Sequence, residues 1–367
     1  MKNKINYIRA LSPILIMFTS CAHAQTGGTD SATTTPSTAA TKKAAPVGIF
    51  CLMEGDRVDR PAKGLEAPKI WSNPDIAGMT LRTFWNKVEP SEGQFDWSHF
   101  ERGVALAHQH NKSVSLSLAA GPASPDWVYK AGSARYDFDL KTNYGEDKRT
   151  AMPPPWDPVF QKKWSATIHA MGKRFDGDPN VAYVTMGGLG WAVETHFVKG
   201  KEEVEKFQRS GELEKWVEAG KRMVDIYASA FPTTPFIMAI AEPVPGPSGD
   251  KALGEVVEYG VGRYPNRFGV MQHGLNAKSS SDFFPNQLVQ KFSDRTPVGF
   301  QMVWNTKDNK ASLVKGSLKE ALERGEALNA HFVEVYAVDC ADPANDGDLR
   351  KATGVLASNR AKKKSGD

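Results

Sequence analysis

A single (β/α)8 barrel is the fold class this sequence predicts, and three observations predict it. From Val47 onward, short apolar and β-branched runs alternate with amphipathic segments, eight strands in all. The runs are apolar throughout rather than alternating, as expected of strands covered on both faces. The composition keeps one regime to the end, with 40% hydrophobic and 24% charged residues over 367 positions, which suits one large domain. The competing class is a doubly wound open sheet. No strand here is followed by a Gly-x-Gly-x-x-Gly or Walker sequence, and Gly187-Gly188-Leu189-Gly190 is not that fingerprint.

The chain opens on a targeting pattern. Lys2, Lys4 and Arg9 form a positive region, and Ala10 to Phe18 is an apolar core too short to span a membrane. Ala22-His23-Ala24 is a small-x-small cleavage site, so residues 1–24 read as a signal peptide. Phe18-Thr19-Ser20-Cys21 gives a second reading, a lipoprotein box with Cys21 as a lipid anchor. Either way the protein is expected to be exported: periplasmic, extracellular or an outer-surface lipoprotein of a bacterium. Residues 25–46, rich in Thr, Ser, Ala and Gly, read as a flexible linker. The barrel is expected over 47–358 and a basic, solvated tail over 359–367.

The strands are expected at Val47–Glu54, Ala77–Phe84, Ser113–Ala119, Val181–Met186, Phe236–Ala241, Gly269–His273, Val298–Trp304 and Phe332–Val338. The first connection, Gly55 to Pro74, shows no helical period. Ser98 and Glu101 are spaced as a capping box for a helix to Asn111, and Ser317 and Glu320 as another to about Ala330. Asp157-Pro158 supplies an N-cap and a first-turn proline for a helix to about Phe175. Glu202 to Ala230 and Lys251 to Gly262 read as helical, and Asp342-Pro343 leads to a last helix through Ala352. The long connection Ser133 to Trp156 reads as a substrate-specificity loop from its length and place.

The formal charge of +4 is concentrated at the ends, so the body is near neutral and carries no nucleic-acid footprint. Membrane contact is expected only through the N-terminal anchor, no cofactor or metal is implied, and the oligomeric state is not legible. Cys51 lies in the first strand and Cys340 just after the last, neighbours in a closed barrel. A disulfide and two buried thiols are equally compatible with that placement.

The stretch Val181 to Phe197 concentrates the chemistry. A buried strand passes through three glycines and then delivers Trp191, Glu194 and His196. A carboxylic acid just past the C-terminal end of a barrel strand is where such enzymes place catalysis. Arg82 and Trp85 end strand two, and the run Arg82 to Trp97 reads R-x-x-W-x-x-x-E-P-x-x-G-x-F-x-W. That run resembles strand two and its loop in clan A glycoside hydrolases, with the β-galactosidase-like families 42 and 35 nearest. Pro125-Asp126-Trp127 and the Gly187–His196 stretch are similar to segments after strands three and four there. The resemblance implies a carbohydrate substrate, β-linked oligo- or polysaccharide, and a retaining two-carboxylate mechanism with Glu194 as acid/base. It implies that Arg82 holds a catalytic carboxylate and that Trp85, Trp127 and Trp191 line sugar subsites, with His196 orienting Glu194 or binding a substrate hydroxyl.

The chain departs from the family at strand seven, Val298 to Asn305, which has no carboxylate. Gln301 stands where relatives place a nucleophile. Glu334 in strand eight is the expected second carboxylate, because period-two alternation turns it and Tyr336 inward. Glu54, Glu242 and Asp339 are the other candidates. Glu242, His273, Asn276, Gln301, Trp304 and Tyr336 are expected substrate contacts. Glu194 as an acid needs its pKa raised by an apolar setting such as Trp191. The alternative function is an inactive carbohydrate-binding barrel without the strand-seven nucleophile.

Overall fold

The computed structural model describes residues 43–53, 68–141, 147–197, 204–205, 207, 209–308 and 310–362. Eight parallel strands close a barrel: β1 (Gly48–Leu52), β2 (Ile76–Phe84), β3 (Ser113–Ala119), β6 (Val181–Met186), β7 (Phe236–Ile240), β8 (Phe268–Leu275), β9 (Val298–Met302) and β10 (Phe332–Tyr336). Each pairs with its neighbour in sequence order, and β1 pairs with β10 from Gly48–Phe332 to Leu52–Tyr336, which closes the ring. The remaining strands, β4 (Tyr136–Lys141) and β5 (Asp147–Met152), form an antiparallel hairpin outside the barrel. This hairpin occupies the connection expected to be a loop. No helix among the described residues is long and apolar enough to cross a membrane.

The strands form because both faces of each are buried. Inside the ring Phe50, Ala119, Tyr183, Ile237, Ala239, Met271 and Phe332 pack into a plug. Phe50 meets Tyr183 edge-on at 5.1 Å between ring centroids. Outward residues such as Leu81, Leu116, Val184 and Val333 join the larger core under the helices. The barrel therefore has a filled interior, and only its ends can hold a ligand.

Cap chemistry places the helices. Asp157 accepts from Phe160 N at 2.8 Å to start Pro158–Phe175. Ser317 and Glu320 make a reciprocal capping box for Leu318–Ala327. Ser98 and Glu101 do not: the N-cap there is Trp97, Ser98 N turns to Asp96 Oδ1, and Glu101 pairs with Arg174. A short helix, Pro68–Ser72, breaks the connection read as purely irregular. The last helix runs from Asp346 to Ala361, past the expected boundary at 358, and Asn359 anchors it to the carbonyls of Glu326 and Ala330.

Two further expectations meet the structure here. Cys51 and Cys340 are both buried and form no disulfide. Lys43, in the stretch read as flexible linker, is tied to the barrel. Its ammonium donates to the carbonyls of Asp178 and Val181, and its backbone N to Thr233 O.

Candidate active site

After β6 the chain makes a tight turn at the C-terminal end of the barrel. Trp191 N donates to His196 O at 3.0 Å and Glu194 N to Trp191 O at 2.9 Å. Ala192 adopts φ 53°, a left-handed conformation that costs a non-glycine residue energy and is held here by its surroundings. A Cβ at Gly190 would stand 2.1 Å from His196 O, so glycine is required for this closure. Gly187 and Gly188 likewise leave no room for a Cβ, with contacts of 2.6 Å to Leu118 O and 2.5 Å to the Trp164 ring. Thr195 N then bonds Ala239 O, and Thr195 Oγ1 accepts from Ala241 N at 2.7 Å. Phe197 N bonds Pro243 O, so Glu194–Phe197 lies along the end of β7 as an added strand segment.

That placement delivers Glu194 between two imidazoles. His196 Nδ1 lies 2.9 Å from Oε2, and His273 Nδ1, from β8, lies 3.2 Å from Oε1. The Glu194 side chain keeps 31% of its surface exposed while His273 keeps 5%. Burial pushes the Glu194 carboxyl up, but the hydrogen bonds and charge of His196 and His273 outweigh it and hold the carboxyl well below the usual range. An acid role needs the opposite shift. Trp191 stacks on the His196 ring, with centroids 6.3 Å apart, so it supports the imidazole.

The floor of the same end is polar. Arg82 Nη2 donates to Gln301 Oε1 at 2.6 Å, so the arginine expected on a catalytic carboxylate contacts the amide at the strand-seven position. Gln301 neighbours His273 across β8 and β9.

Glu334 faces inward as its parity predicts, but deep in the plug. It has no exposed surface, and Oε1 accepts from Tyr183 OH at 2.7 Å and Thr80 Oγ1 at 2.9 Å. A nucleophile must touch the anomeric carbon, and a carboxylate with no exposed surface cannot do so. The structure thus corrects Glu334 from cleft carboxylate to interior carboxylate. Asp339 is also fully buried, where it accepts from the backbone N and hydroxyl of Thr306. Burial pushes its carboxyl up. Glu242, just past β7, is half-buried beside the Glu194 segment, and Glu54 lies outside the described residues.

The tryptophans divide. Trp85 is fully buried, with Trp164 at 4.8 Å and Trp127 at 5.6 Å between ring centroids, so it packs rather than lining a subsite. Its Nε1 donates to Glu89 Oε2 at 2.8 Å, which also takes the Thr167 hydroxyl, while Glu89 Oε1 takes Gly93 N. Trp127 Nε1 donates to Glu89 O at 2.9 Å. Glu89, given no role from sequence, is therefore the buried hub of the strand-two motif. Trp304 and Tyr336 remain partly exposed at the barrel end and pair at 5.6 Å. Asn276 turns back on its own loop, donating to Gly274 O.

The Glu194–His273 link had no sequence signal, because its partners are 79 residues apart. No group of three His, Cys, Asp or Glu residues among those described is arranged to hold a metal ion.

The β-galactosidase family 42 glycoside hydrolase model matches residues 68–210. Over that stretch the chain is similar to family 42 glycoside hydrolases. The match runs from the helix before β2 through the turn that carries Glu194. No curated protein matches the chain. Among solved structures, the catalytic domain of β-amylase from Paenibacillus polymyxa aligns over 87% of this chain and 100% of its own, at 10% identity and TM-score 0.54. A mutant of xylanase A from P fluorescens subsp. cellulosa, in complex with xylopentaose, aligns over 86% and 98% at 12% identity and TM-score 0.47. The β-amylase likeness shows the barrel fold. The fold and the family match together support a glycosidase, an O-glycosyl hydrolase.

Proposed function

We propose that this chain is an exported glycoside hydrolase acting on β-linked oligo- or polysaccharide, with Glu194 as its cleft carboxylate. The observation that carries the reading is Glu194 itself. It is a partly exposed carboxylate at the C-terminal end of the fourth barrel strand, inside the family match, held by two imidazoles. Trp304 and Tyr336 offer an aromatic edge for a sugar face, and Gln301 with Arg82 offers polar contacts to hydroxyls. Glycoside cleavage of this type needs a second carboxyl group. Glu242 is the half-buried carboxylate next to the Glu194 segment and takes that place in the proposal. Export rests on the N-terminal pattern of Lys2, Lys4, Arg9 and the apolar run that follows.

Two observations favour a second reading, a carbohydrate-binding barrel without catalysis. The strand-seven position is an amide, Gln301, and Glu334 is sealed in the plug. Hydrolysis of a panel of aryl glycosides and oligosaccharides decides between them. The hydrolase reading expects cleavage that falls by about 10³-fold or more in Glu194→Gln and in Glu242→Gln, as for residues that act at the reacting bond. Binding of a glycan with no cleavage by the wild type would replace it with the binding reading.

A further inference from the structure

The segment that carries Glu194 hangs on the end of β7 by three contacts. Thr195 N donates to Ala239 O at 3.1 Å, Ala241 N to Thr195 Oγ1 at 2.7 Å, and Phe197 N to Pro243 O at 3.0 Å. All three face β7. Glu194 and His196 share a face, because their side chains meet at 2.9 Å, so strand parity turns Phe197 to the opposite one. Phe197 is buried there, in the core under the helices.

Three rings hold Phe197 in that place. Between ring centroids, Tyr136 of β4 lies at 5.0 Å, Trp156 at 5.4 Å and Phe207 at 5.4 Å. The hairpin that brings Tyr136 is itself fixed at its base. Ala134 N donates to Asp157 Oδ2 at 3.1 Å, and Arg135 pairs with Asp137 at 2.9 Å while lying over the Tyr129 ring. The other strand, β5, packs on the short turn Gly121–Ala123 that follows β3. A Cβ on Gly121 would stand 2.4 Å from Gly190 O, so that turn in its own right abuts the Glu194 turn. The hairpin therefore supports the site through Phe197 after it and through Gly121–Ala123 before it.

We infer that the β4–β5 hairpin is the positioning element of Glu194, with Tyr136 as its positioning residue. Its ring holds Phe197 on the far face of the segment and keeps Glu194 and His196 aimed into the cleft. The inference deepens the glycosidase reading and rests on it for the reaction, in which the resemblance has this carboxyl give its proton to the leaving oxygen. A bound substrate that takes water from the partly exposed carboxyl pushes it toward the protonated form that donation needs.

Proton transfer requires heavy atoms at about 2.6–3.2 Å, so a small tilt of the segment takes the carboxyl out of reach. The loss must follow the leaving group's need for a proton. An alkyl or sugar oxygen departs as an alcohol and needs it; a dinitrophenolate departs as a stable anion and does not. The test is kcat/KM on an oligosaccharide and on the dinitrophenyl glycoside of the same sugar, for wild type, Tyr136→Ala and Tyr136→Phe. In Tyr136→Ala the oligosaccharide should lose about 10–100-fold, the scale of a misplaced reacting group. The dinitrophenyl glycoside should lose no more than about 3-fold, since it needs no general acid. Tyr136→Phe keeps the ring and should restore both. Tyr136→Leu, with apolar bulk but no ring, carries the same comparison should the alanine variant fail to fold. The indole N–H of Trp191, which stacks on His196, gives an NMR readout of the segment, assigned through Trp191→Phe. It should shift in Tyr136→Ala and stay in place in Tyr136→Phe. Equal losses on the two glycosides, no loss on either, or an unmoved Trp191 signal in Tyr136→Ala would overturn the inference. A shifted Trp191 signal in a protein that cleaves no glycoside would leave the hairpin's hold on the segment standing and remove the glycosidase reading alone.

Discussion

At the residue scale, Glu194 and Glu334 show how far one side-chain type is set by its surroundings. Glu194 meets two imidazoles at a partly open barrel end; Glu334 meets two hydroxyls in a closed interior. The parity of β10 made the inward direction of Glu334 legible, but parity says nothing about depth along the barrel axis. Its burial comes from the barrel interior that Phe50, Tyr183 and Phe332, three rings from three strands, fill around it. The roles separate by substitution. Glu334→Gln keeps an acceptor for Tyr183 OH and Thr80 Oγ1, so activity should change by no more than a few-fold. Glu334→Ala strands both hydroxyls and opens a cavity, at a cost of roughly 3 kcal/mol or more. Denaturant unfolding alongside the glycoside assay reads both. A Glu334→Gln protein that folds normally and has lost its hydrolysis would return Glu334 to the catalytic pair.

At the scale of elements, the helices followed their caps only where the side chain had no better partner. Asp157 and Ser317 cap as their spacing predicts. Ser98 fails because Asp96 takes its N–H and Arg174 draws Glu101 away, a tertiary contact no local pattern contains. The hairpin β4–β5 was missed because a long polar connection carries little strand signal. It is secured by rings instead: Tyr136 lies 5.0 Å from Phe197, and Trp156 lies 5.4 Å from Phe197 and 5.7 Å from Phe207. Phe197 directly follows His196, so the hairpin is packed onto the segment that carries the site. The cap can be measured directly. Asp157 accepts from Phe160 N and also from Ala134 N, at the approach to the hairpin. Asp157→Ala should therefore lower stability by about 1–2 kcal/mol, toward the upper end for an N-cap. Asp157→Asn should recover most of it, since the amide oxygen can still accept. Equal losses in the two variants would show that the carboxylate charge, and not the cap geometry, sets the cost.

For the whole molecule, the barrel was legible because closure leaves every strand covered on both faces, and such strands are written as apolar runs. The site was legible only in part. Trp191, Glu194 and His196 stand together in one stretch, whereas His273 joins them by the closure of β6, β7 and β8, a relation across the fold. The lower end of the barrel was misjudged at one place for a related reason. Residues 25–46 have a linker's composition, yet Lys43 reaches the carbonyls of Asp178 and Val181 at the entry to β6, and burial pushes its ammonium pKa down. These contacts fasten the chain to the end of the barrel away from Glu194, where strands begin. Lys43→Ala in the full chain should cost about 1–2 kcal/mol, the scale of losing hydrogen bonds from a charged donor. Thermal unfolding should show the loss, while kcat and KM stay at wild-type values because the cleft lies at the other end of the strands. A drop in kcat without a drop in thermal midpoint would mean that this anchor acts on the site rather than on the fold.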